Sequence, residues 1–333
     1  MNNIKWGIIG CGDVTEIKSG PPLYKVPGSS LVAVMRRNGE KAADYARRHN
    51  VPKWYTDADE LLNDGEINSV FIATPPNLHM EYALAALKKG LNVYLEKPVT
   101  LNAAEARAIA QEVKQSKGKL SVAHYRRSLP MFLYVKELID TGTIGDIRSA
   151  QIRLWQSIQP ELGTLLEDNW RIDGKRSGGG FFHDMSPHQL DLMLFYFGEP
   201  HYYGGISLNQ AGVNEVADHV TGYIVFKNKV VVNGSWSFNV VSSEATDLCE
   251  IVGSKGKISF PFFNKPHIVK LKNESGEHIK EFKHPEHISY LMIEQVVNYF
   301  NGTQANNPCS IEDAIPLMDI MDAFSELPLN LPR

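Results

Sequence analysis

Short apolar runs alternate with amphipathic stretches through the first 124 residues of the chain. Apolar runs bounded by glycine, proline or polar residues are typical of strands buried on both faces. The predicted strands are Lys5–Gly10, Leu31–Met35, Ser69–Ala73, Asn92–Leu95 and Lys119–Ala123. The predicted helices between them are Glu40–His49, Asp57–Leu62, His79–Lys89 and Ala103–Ser116. This alternation predicts a doubly wound α/β domain with a parallel sheet, covering residues 1–124.

After residue 124 the pattern changes to long strand-like runs in which apolar and polar positions alternate. Such alternation is typical of an antiparallel sheet with one buried face. The predicted strands are Ile147–Gln156, Tyr202–Asn209, Ala217–Phe226, Val230–Phe238, Leu248–Val252, Ile258–Phe260, Ile268–Lys272 and Ile279–Phe282. The predicted helices are Pro130–Asp140, Pro187–Phe197, Ser289–Phe300 and Ile311–Ser325. Residues 125–333 are therefore expected to form an α+β domain with a large open, mostly antiparallel sheet.

Composition narrows the class of protein. The chain has 333 residues, of which 43% are hydrophobic, and a formal net charge of −4, which suits a globular protein of two domains. It has no basic tract with interleaved aromatics and no apolar run of membrane-spanning length, so neither nucleic acid nor a membrane is an expected partner. No signal-peptide pattern opens the chain, and Cys11, Cys249 and Cys309 are odd in number and widely spaced. We therefore expect a cytoplasmic protein without a disulfide framework.

A glycine-rich turn follows the first predicted strand. The segment Gly10–Thr15 reads Gly-Cys-Gly-Asp-Val-Thr, a variant of the dinucleotide-binding fingerprint in which Thr15 stands at the third small position. Gly10 permits the tight turn, and Gly12 lets a pyrophosphate approach the next helix. The predicted cofactor-binding residues of this turn are Gly10, Cys11, Gly12, Asp13 and Val14.

The second predicted strand ends in Arg36-Arg37-Asn38, where enzymes that use NAD usually carry an acidic residue for the ribose hydroxyl. Guanidinium groups suit a 2′-phosphate, so the pair Arg36 and Arg37 predicts NADP as cofactor, with NAD as the alternative. The competing interpretation is that both arginines only begin a solvated basic surface that continues to Lys41.

Further polar residues follow the carboxyl ends of the later strands, where ligands bind in open α/β sheets. Thr74-Pro75-Pro76-Asn77 follows one strand, Glu96-Lys97-Pro98 follows the next, and His124 to Arg127 follows the last. The additional predicted cofactor-binding residues are Thr74, Pro75, Asn77, His79, Glu96, Lys97 and Arg126.

The stretch Gly178–Asp191 concentrates reactive side chains. Ser186-Pro187 predicts a helix start, which places His188 in the first turn and Asp184 in the loop before it. A histidine at a helix N-terminus is held neutral by the helix dipole and suits a general base. The alternatives are a core histidine in a buried helix, or a weaker candidate metal site of His183, Asp184 and His188. We expect no metal.

With these pieces the chain resembles the glucose-fructose oxidoreductase / inositol dehydrogenase (Gfo/Idh/MocA) family over nearly its whole length. The motifs that carry the resemblance are Gly7–Gly12, Thr74–Asn77 with His79, Glu96–Pro98, Gly142–Gly145, Gly178–Gly180 with Asp184, His188 and Asp191, and Ile251–Gly256. The resemblance implies a Rossmann domain, a larger second domain, and hydride transfer between a nicotinamide and a sugar, polyol or related cyclic compound. It further implies that Lys97, Asp184 and His188 are catalytic.

The chemistry of these side chains agrees with that function. A histidine exchanges protons near neutral pH, and Lys97 can stabilise negative charge on the reacting oxygen. A long polar excursion from Gln159 to Gly180 is expected to contribute to the substrate pocket. The predicted substrate-binding residues are Lys97, Tyr125, Trp170, Arg171, His183 and His188.

Two other functions remain open from the sequence. One is an enzyme that uses the nicotinamide transiently with no net redox change, such as a hydrolase or epimerase, and the other is a non-catalytic dinucleotide sensor. The outward faces of the second sheet mix Tyr, Trp, His and Arg with small polar residues, as at 149–155 and 219–225. Such a face favours a protein interface, so we expect a homodimer or homotetramer.

Overall fold

The computed structural model describes residues 3–157 and 169–325 of the chain. These residues divide into two units. The first contains residues 3–128 and 285–315, and the second contains residues 129–157, 169–284 and 316–325. Each unit is built around one sheet.

The first unit is built on a six-stranded parallel sheet in the order β3-β2-β1-β4-β5-β6. Its strands are β1 (Ile4–Ile9), β2 (Ser29–Met35), β3 (Lys53–Tyr55), β4 (Ser69–Ile72), β5 (Asn92–Leu95) and β6 (Leu120–Val122). The order reverses between β1 and β4, so the loops after these strands meet at the switch point where such sheets bind ligands. The structure confirms the predicted doubly wound sheet and adds the edge strand β3, which the sequence pattern did not indicate.

Short helices connect these strands and cover the sheet. They are α1 (Asp13–Ile17), α2 (Pro22–Lys25), α3 (Gly39–Arg48), α4 (Ala58–Leu62), α5 (His79–Lys88) and α6 (Ala103–Gln115). The side chains of Asn38, Asp57 and Asn102 accept backbone N–H groups at the starts of α3, α4 and α6. Gly90, with a φ of +76°, follows α5 as predicted.

The second unit is built on an eight-stranded sheet in the order β14-β13-β12-β11-β7-β10-β9-β8. Its strands are β7 (Ile147–Trp155), β8 (Pro200–Leu208), β9 (His219–Phe226), β10 (Val231–Ser237), β11 (Thr246–Gly253), β12 (Gly256–Phe260), β13 (Ile268–Asn273) and β14 (Gly276–Glu281). Neighbours pair antiparallel except β7 and β10, which are parallel. The long connection between β7 and β8 permits this exception, because it returns the chain to the same end of the sheet. The sheet is therefore mixed and mostly antiparallel.

The remaining helices are α7 (Pro130–Asp140), α8 (Gly174–Ser177), α9 (Gly180–Met185), α10 (Pro187–Phe197), α11 (Tyr290–Phe300) and α12 (Ile311–Ser325). The apolar face of the second sheet packs on helices of its own unit, as predicted. Trp236 of β10 is fully buried and contacts the rings of Phe182 in α9 and Phe324 in α12. The opposite face stays accessible, and Tyr223 of β9 is 47% exposed there.

A late segment of the chain completes the first unit. The carbonyl oxygen of Cys309 accepts the backbone N–H of Val122 in β6 at 2.9 Å, and the Asn307 amide donates to the Leu120 carbonyl oxygen at 2.7 Å. Helix α11 packs Phe300 against Trp6 of β1. Dividing the chain at residue 124 assigns these residues to the second domain, whereas their contacts lie in the first unit.

Candidate active site

The glycine turn lies at the carboxyl end of β1 and leads into α1. Gly10 has a φ of +92°, and the backbone N–H groups of Gly10 and Cys11 both donate to the Met35 carbonyl oxygen at the end of β2. Thr15 is fully buried, and its hydroxyl donates to the Gly12 carbonyl oxygen at 2.7 Å. The threonine at the third fingerprint position therefore braces the turn from inside.

The two glycines of this turn suit a dinucleotide for different reasons. A Cβ on Gly10 would stand 2.9 Å from the Thr74 methyl carbon and 3.0 Å from the Ala73 backbone, so no side chain fits there. A Cβ on Gly12 would meet nothing nearer than 4.0 Å, so the space in front of the turn is open. Thr74 Oγ1 is buried beside the turn without a hydrogen-bond partner among the described residues. The turn thus offers the close backbone approach and the unsatisfied polar atom that a phosphate-linked cofactor needs.

Arg36 lies beside the same turn. Its Nη1 donates to the carbonyl oxygen of Cys11 at 3.2 Å. Burial raises the pKa of the Cys11 thiol to about 11, so Cys11 contributes its backbone rather than a thiolate. Asp13 is exposed and Val14 half-buried in the first turn of α1.

An open cleft of about 480 Å³ extends from Arg36 along α3 and is lined by Asp13, Arg36, Glu40, Lys41, Asp44 and Arg48. Arg48 binds Glu16 through two bonds of 2.7 Å and Asp44 through another of 2.7 Å. The hydrogen bonds from Arg48 lower the pKa of Glu16 to about 2. Across the residues that the structure describes, Arg36 and Lys41 have no carboxylate partner. Two of the three cations that line the cleft can therefore bind an anionic group of a ligand. Arg37 is exposed beside them.

His79 ties together two of the predicted cofactor-binding loops. Its Nε2 lies 2.8 Å from the carbonyl oxygen of Thr74, and its Nδ1 lies 3.0 Å from that of Pro98 and 3.3 Å from that of Val99. The side chain is fully buried, and burial lowers its pKa to about 4. His79 was predicted to contact the cofactor, but in the structure it braces the loops that carry Thr74 and Lys97.

The Glu96–Pro98 motif follows β5 directly. Glu96 is buried, and one of its carboxylate oxygens accepts the Lys97 backbone N–H at 3.1 Å, while the Lys97 side chain is half-buried. Pro75 and Asn77 lie in the loop after β4, half-buried and exposed respectively. After β6, the buried Arg126 guanidinium lies 5.4 Å from the centre of the half-buried Tyr125 ring. The predicted residues of the first unit thus lie in the loops at the carboxyl ends of β1, β2, β4, β5 and β6.

Asp184 and His188 belong to two consecutive helices of the second unit. His188 lies in the first turn of α10, as predicted, and is 6% exposed. Asp184 is expected in a loop, but it lies in α9. The three glycines before Asp184 do not prevent a helix from forming there. Ser186 separates the two helices with helical dihedral angles, and its side chain makes no cap hydrogen bond. The proline at Pro187, rather than a serine cap, therefore marks the start of α10.

Arg171 forms an ion pair with Asp184, in which Nε donates to Oδ2 at 2.7 Å. The guanidinium also lies 4.7 Å from the centre of the Trp170 ring. Arg171 and Trp170 are half-buried on a 3-10 turn capped by Asn169. The structure thus brings together two residues from separate predicted sets, the catalytic Asp184 and the substrate-binding Arg171. Residues 159–168 of the predicted polar excursion lie outside the described residues.

His183 was predicted to line the substrate pocket, but its side chain is only 2% exposed. A Cβ on Gly179 would stand 2.1 Å from its Nδ1, so the imidazole occupies the space that this glycine leaves open. Burial lowers its pKa to about 4. The absence of a side chain at Gly179 is therefore explained by the buried His183 imidazole beside it rather than by a ligand.

Sequence reasoning missed a residue that contacts His188. The ring of Phe263, in the turn after β12, lies 5.7 Å from the His188 imidazole at an interplanar angle of 71°. Asp247 of β11 accepts the backbone N–H groups of three residues in this turn. No local signal marks this contact, because 75 positions separate the two rings.

Two classes of feature are missing from the described part of the chain. Within residues 3–157 and 169–325, no group of three or more His, Cys, Asp or Glu side chains is arranged to hold a metal ion. In the same residues, no helix combines the length and apolar character that crossing a bilayer requires.

Comparison with known proteins agrees with this geometry. A model described as an oxidoreductase family with an NAD-binding Rossmann fold matches residues 4–124. The GFO/IDH/MocA C-terminal domain model matches residues 132–259.

Individual proteins match over most of their length. Oxidoreductase P35 of Formosa agariphila is 47% identical over 97% of this chain and 98% of its own. The 1,5-anhydro-D-fructose reductase of Ensifer adhaerens is 26% identical over 82% of this chain and 81% of its own. The crystal structure of an oxidoreductase from Thermotoga maritima, 25% identical, covers 96% of this chain and 95% of its own with a TM-score of 0.83. The chain therefore belongs to the GFO/IDH/MocA family of oxidoreductases, with an NAD-binding Rossmann domain at its N-terminal end.

Proposed function

We propose that this protein is an NAD(P)-dependent oxidoreductase that transfers a hydride between the nicotinamide and a sugar, polyol or related cyclic carbonyl or alcohol. The observation that carries the proposal is the turn after β1, where Gly10 excludes any side chain and Gly12 faces open space. The bound nicotinamide would supply or accept the hydride. Residues of this turn, together with Thr74 and Arg36, would hold the dinucleotide.

The chain's own residues handle the proton and the charge that accompany the hydride. His188 is proposed as the acid or base that exchanges the proton of the hydroxyl group, because a helix N-terminus favours its neutral form. Lys97 would donate a hydrogen bond to the reacting oxygen and stabilise negative charge on it. Asp184, anchored by Arg171, would supply a fixed negative charge that orients His188.

The substrate class is proposed from the family and from a relative. The Ensifer adhaerens protein is a reductase of 1,5-anhydro-D-fructose, and the present chain covers 81% of that enzyme. Trp170 and Arg171 present an aromatic ring and hydrogen-bond donors in the same turn. Such a pair suits a polyhydroxylated ring, whose C–H faces stack on aromatics while its hydroxyls accept hydrogen bonds.

A catalytic test uses 1,5-anhydro-D-fructose with reduced cofactor, and aldoses, ketoses and inositols with oxidised cofactor. Turnover is read from the absorbance of the reduced nicotinamide. Lys97→Ala and His188→Asn should each lower kcat by about 10²-fold or more, because each removes acid–base or charge support from the transition state. Replacing the exposed His201 with Asn is the control and should leave kcat unchanged. A His188→Asn enzyme with normal turnover would remove His188 from the mechanism.

The same assay separates the two alternative functions. An enzyme with no net redox change would convert its substrate while the reduced nicotinamide shows no steady-state change in absorbance. A dinucleotide sensor would bind cofactor tightly and turn over no member of the panel. Lys97, Asp184 and His188 together favour the dehydrogenase, since a sensor needs none of them.

For the cofactor, we propose NADP rather than NAD, on the basis of Arg36 and Lys41. Both cations line the cleft beside the glycine turn, whereas Arg48 is bound to Glu16 and Asp44. Arg36→Asp should abolish or reverse a preference for NADPH, because it replaces attraction for a phosphate by repulsion. Dissociation constants for both cofactors, measured by fluorescence titration, test this. The exposed Arg148→Asp carries the same charge change and should have no effect. Equal or tighter binding of NADH by the unmodified protein would contradict the proposal.

We further propose that the outward face of the second sheet binds a second copy of this chain. Tyr223 of β9 and Tyr202 of β8 are 47% and 63% exposed there. Trp155 of β7 lies on the same face with the Arg153 guanidinium 5.2 Å from its ring. The face also carries the carboxylate of Glu250, so its charges are of both signs and can complement themselves across a two-fold axis.

A further inference from the structure

The turn between β12 and β13 is held by a carboxylate from the neighbouring strand β11. Asp247 Oδ1 accepts the backbone N–H of Phe262 at 3.0 Å. Its Oδ2 accepts those of Phe263 at 2.6 Å and Asn264 at 2.8 Å. Hydrogen bonds to an ionised acceptor are short and strong, and three in succession define the path of the backbone. Asp247 thus determines where the side chains of this turn are placed.

The side chain before Phe263 anchors the turn in the core. Phe262 is fully buried and stacks on Phe132 of α7, with ring centres 6.3 Å apart and planes at 21°. It also meets Phe260 edge to face at 5.4 Å. Because Phe262 is locked by packing and the backbone by Asp247, Phe263 has little freedom to shift along the chain.

From this rigid turn, the Phe263 ring contacts the imidazole of His188. The two rings meet at 71° with centres 5.7 Å apart, an edge-to-face arrangement that aromatic pairs prefer. His188 is buried, whereas Phe263 is half-buried, so one part of the phenyl ring packs on the imidazole and another part is accessible. The imidazole therefore packs against a ring that a different strand pair supplies.

We propose that Phe263 is a positioning residue that sets the orientation of the His188 imidazole, and that Asp247 acts through Phe263 by holding its turn. The proposal rests on the proposed function, in which His188 exchanges a proton with the substrate. A proton donor or acceptor acts only within hydrogen-bond reach of its target, so a small rotation of the ring lowers the rate. Asp247 itself touches neither substrate nor His188.

A spectroscopic test needs no substrate. The chain has 11 histidines, so the ring Cε1–H signals of ¹³C-histidine-labelled protein can be resolved, and the His188 signal is the one that His188→Asn removes. Phe263→Leu removes the aromatic ring current, and Asp247→Asn releases the turn, so both should move this signal. Asp218→Asn is the matched control, because Asp218 also accepts two backbone N–H groups of a loop, those of Gln210 and Ala211. An unmoved His188 signal in both test variants would overturn the proposal.

Kinetics on the best substrate of the panel provide the second readout. Asp247→Asn and Phe263→Leu should each lower kcat about 10-fold, with KM and cofactor affinity within about 2-fold, because they misplace the proton-exchanging group without removing a ligand contact. Phe263→Tyr keeps the ring and should retain turnover. The double variant should be no slower than the slower single variant, since both changes act on one contact.

The outcomes separate this inference from the function on which it rests. Normal turnover of His188→Asn would contradict the catalytic role of His188, whatever the turn does. An inactive His188→Asn together with normal kcat in Phe263→Leu and Asp247→Asn would overturn the positioning role alone. If Asp247→Asn does not fold, the comparison of Leu and Tyr at position 263 decides, because a merely structural loss would lower thermal stability without changing kcat.

Discussion

At the scale of single residues, His79 and His183 are two histidines whose side chains the fold buries. Each follows a motif typical of ligand contact, yet His79 is fully buried and His183 is 2% exposed. His79 lies between backbone carbonyl oxygens of two loops, and His183 fills the space beside Gly179. A sequence pattern cannot distinguish these cases, because the carbonyl oxygen of Pro98 comes 19 positions after His79 and only the folded chain brings it near.

Burial of these two histidines has a consequence for stability against acid. Burial lowers the pKa of each to about 4, whereas an unfolded histidine has a pKa of about 6.5. The unfolded chain therefore binds more protons between these values. The contribution of the two histidines to the unfolding free energy is complete above about pH 6.5 and is lost as the pH falls towards 4. Both histidines contribute to this loss.

The measurement is urea unfolding at several pH values in this window. His79→Gln and His183→Gln should each flatten the dependence of unfolding free energy on pH, even though both start from a lower stability at neutral pH. His201→Gln, at an exposed position, serves as the control and should keep the slope of the unmodified protein. An unchanged slope in His79→Gln would mean that this histidine is not buried in its neutral form.

At the scale of elements, a row of glycines lets a helix lie against the second sheet. Gly205 of β8, Gly222 of β9 and Gly234 of β10 are paired in register across three strands. A Cβ on Gly222 would stand 2.5 Å from the Phe324 ring of α12, and one on Gly234 would stand 2.1 Å from the Trp236 ring. The sequence predicted which face of these strands is buried, but not that large rings would fill the space above the glycines.

This packing predicts that one methyl group added at Gly222 lowers the unfolding free energy. Gly222→Ala should lower the unfolding free energy by about 1–3 kcal/mol, because Phe324 has to move from a packed position. Gly65→Ala is the matched control, since a Cβ there meets nothing within 4 Å. Thermal or urea unfolding measures both. If the steric account is right, Phe324→Leu should cost less in the Gly222→Ala background than alone, and strictly additive effects would contradict it.

At the scale of the whole molecule, the sequence predicted most elements and the class of both sheets. Strand Asn92–Leu95 and helices Pro130–Asp140, Pro187–Phe197 and Ile311–Ser325 have the predicted bounds, since their periodicity and flanking residues are local signals. Pairing between distant segments was not predictable in the same way. The parallel pairing of β7 with β10 and the return of residues 285–315 to the first unit depend on contacts that leave no local pattern.

Assembly is the prediction that belongs to this scale. Light scattering on the purified protein should give the mass of a dimer or a tetramer. Tyr223→Asp together with Trp155→Glu should shift it towards the monomer, because charges would then be buried in the proposed contact. Trp54→Glu in the first unit is the control, since Trp54 is as exposed as Tyr223, at 47%. A dimer that persists in the double variant would locate the contact elsewhere.

The bond between Cys309 and β6 has a consequence for biosynthesis. Leu120 of β6 lies 187 positions before Asn307, its hydrogen-bond partner. At about 5–20 residues per second, a ribosome takes on the order of 10–40 seconds to add that length, and during this time the outer edge of the nascent Rossmann sheet is unpaired. An open strand edge invites pairing with other chains. The N-terminal sheet therefore cannot be completed as it emerges, and its outer edge stays open to other chains until the segment that closes it has been made.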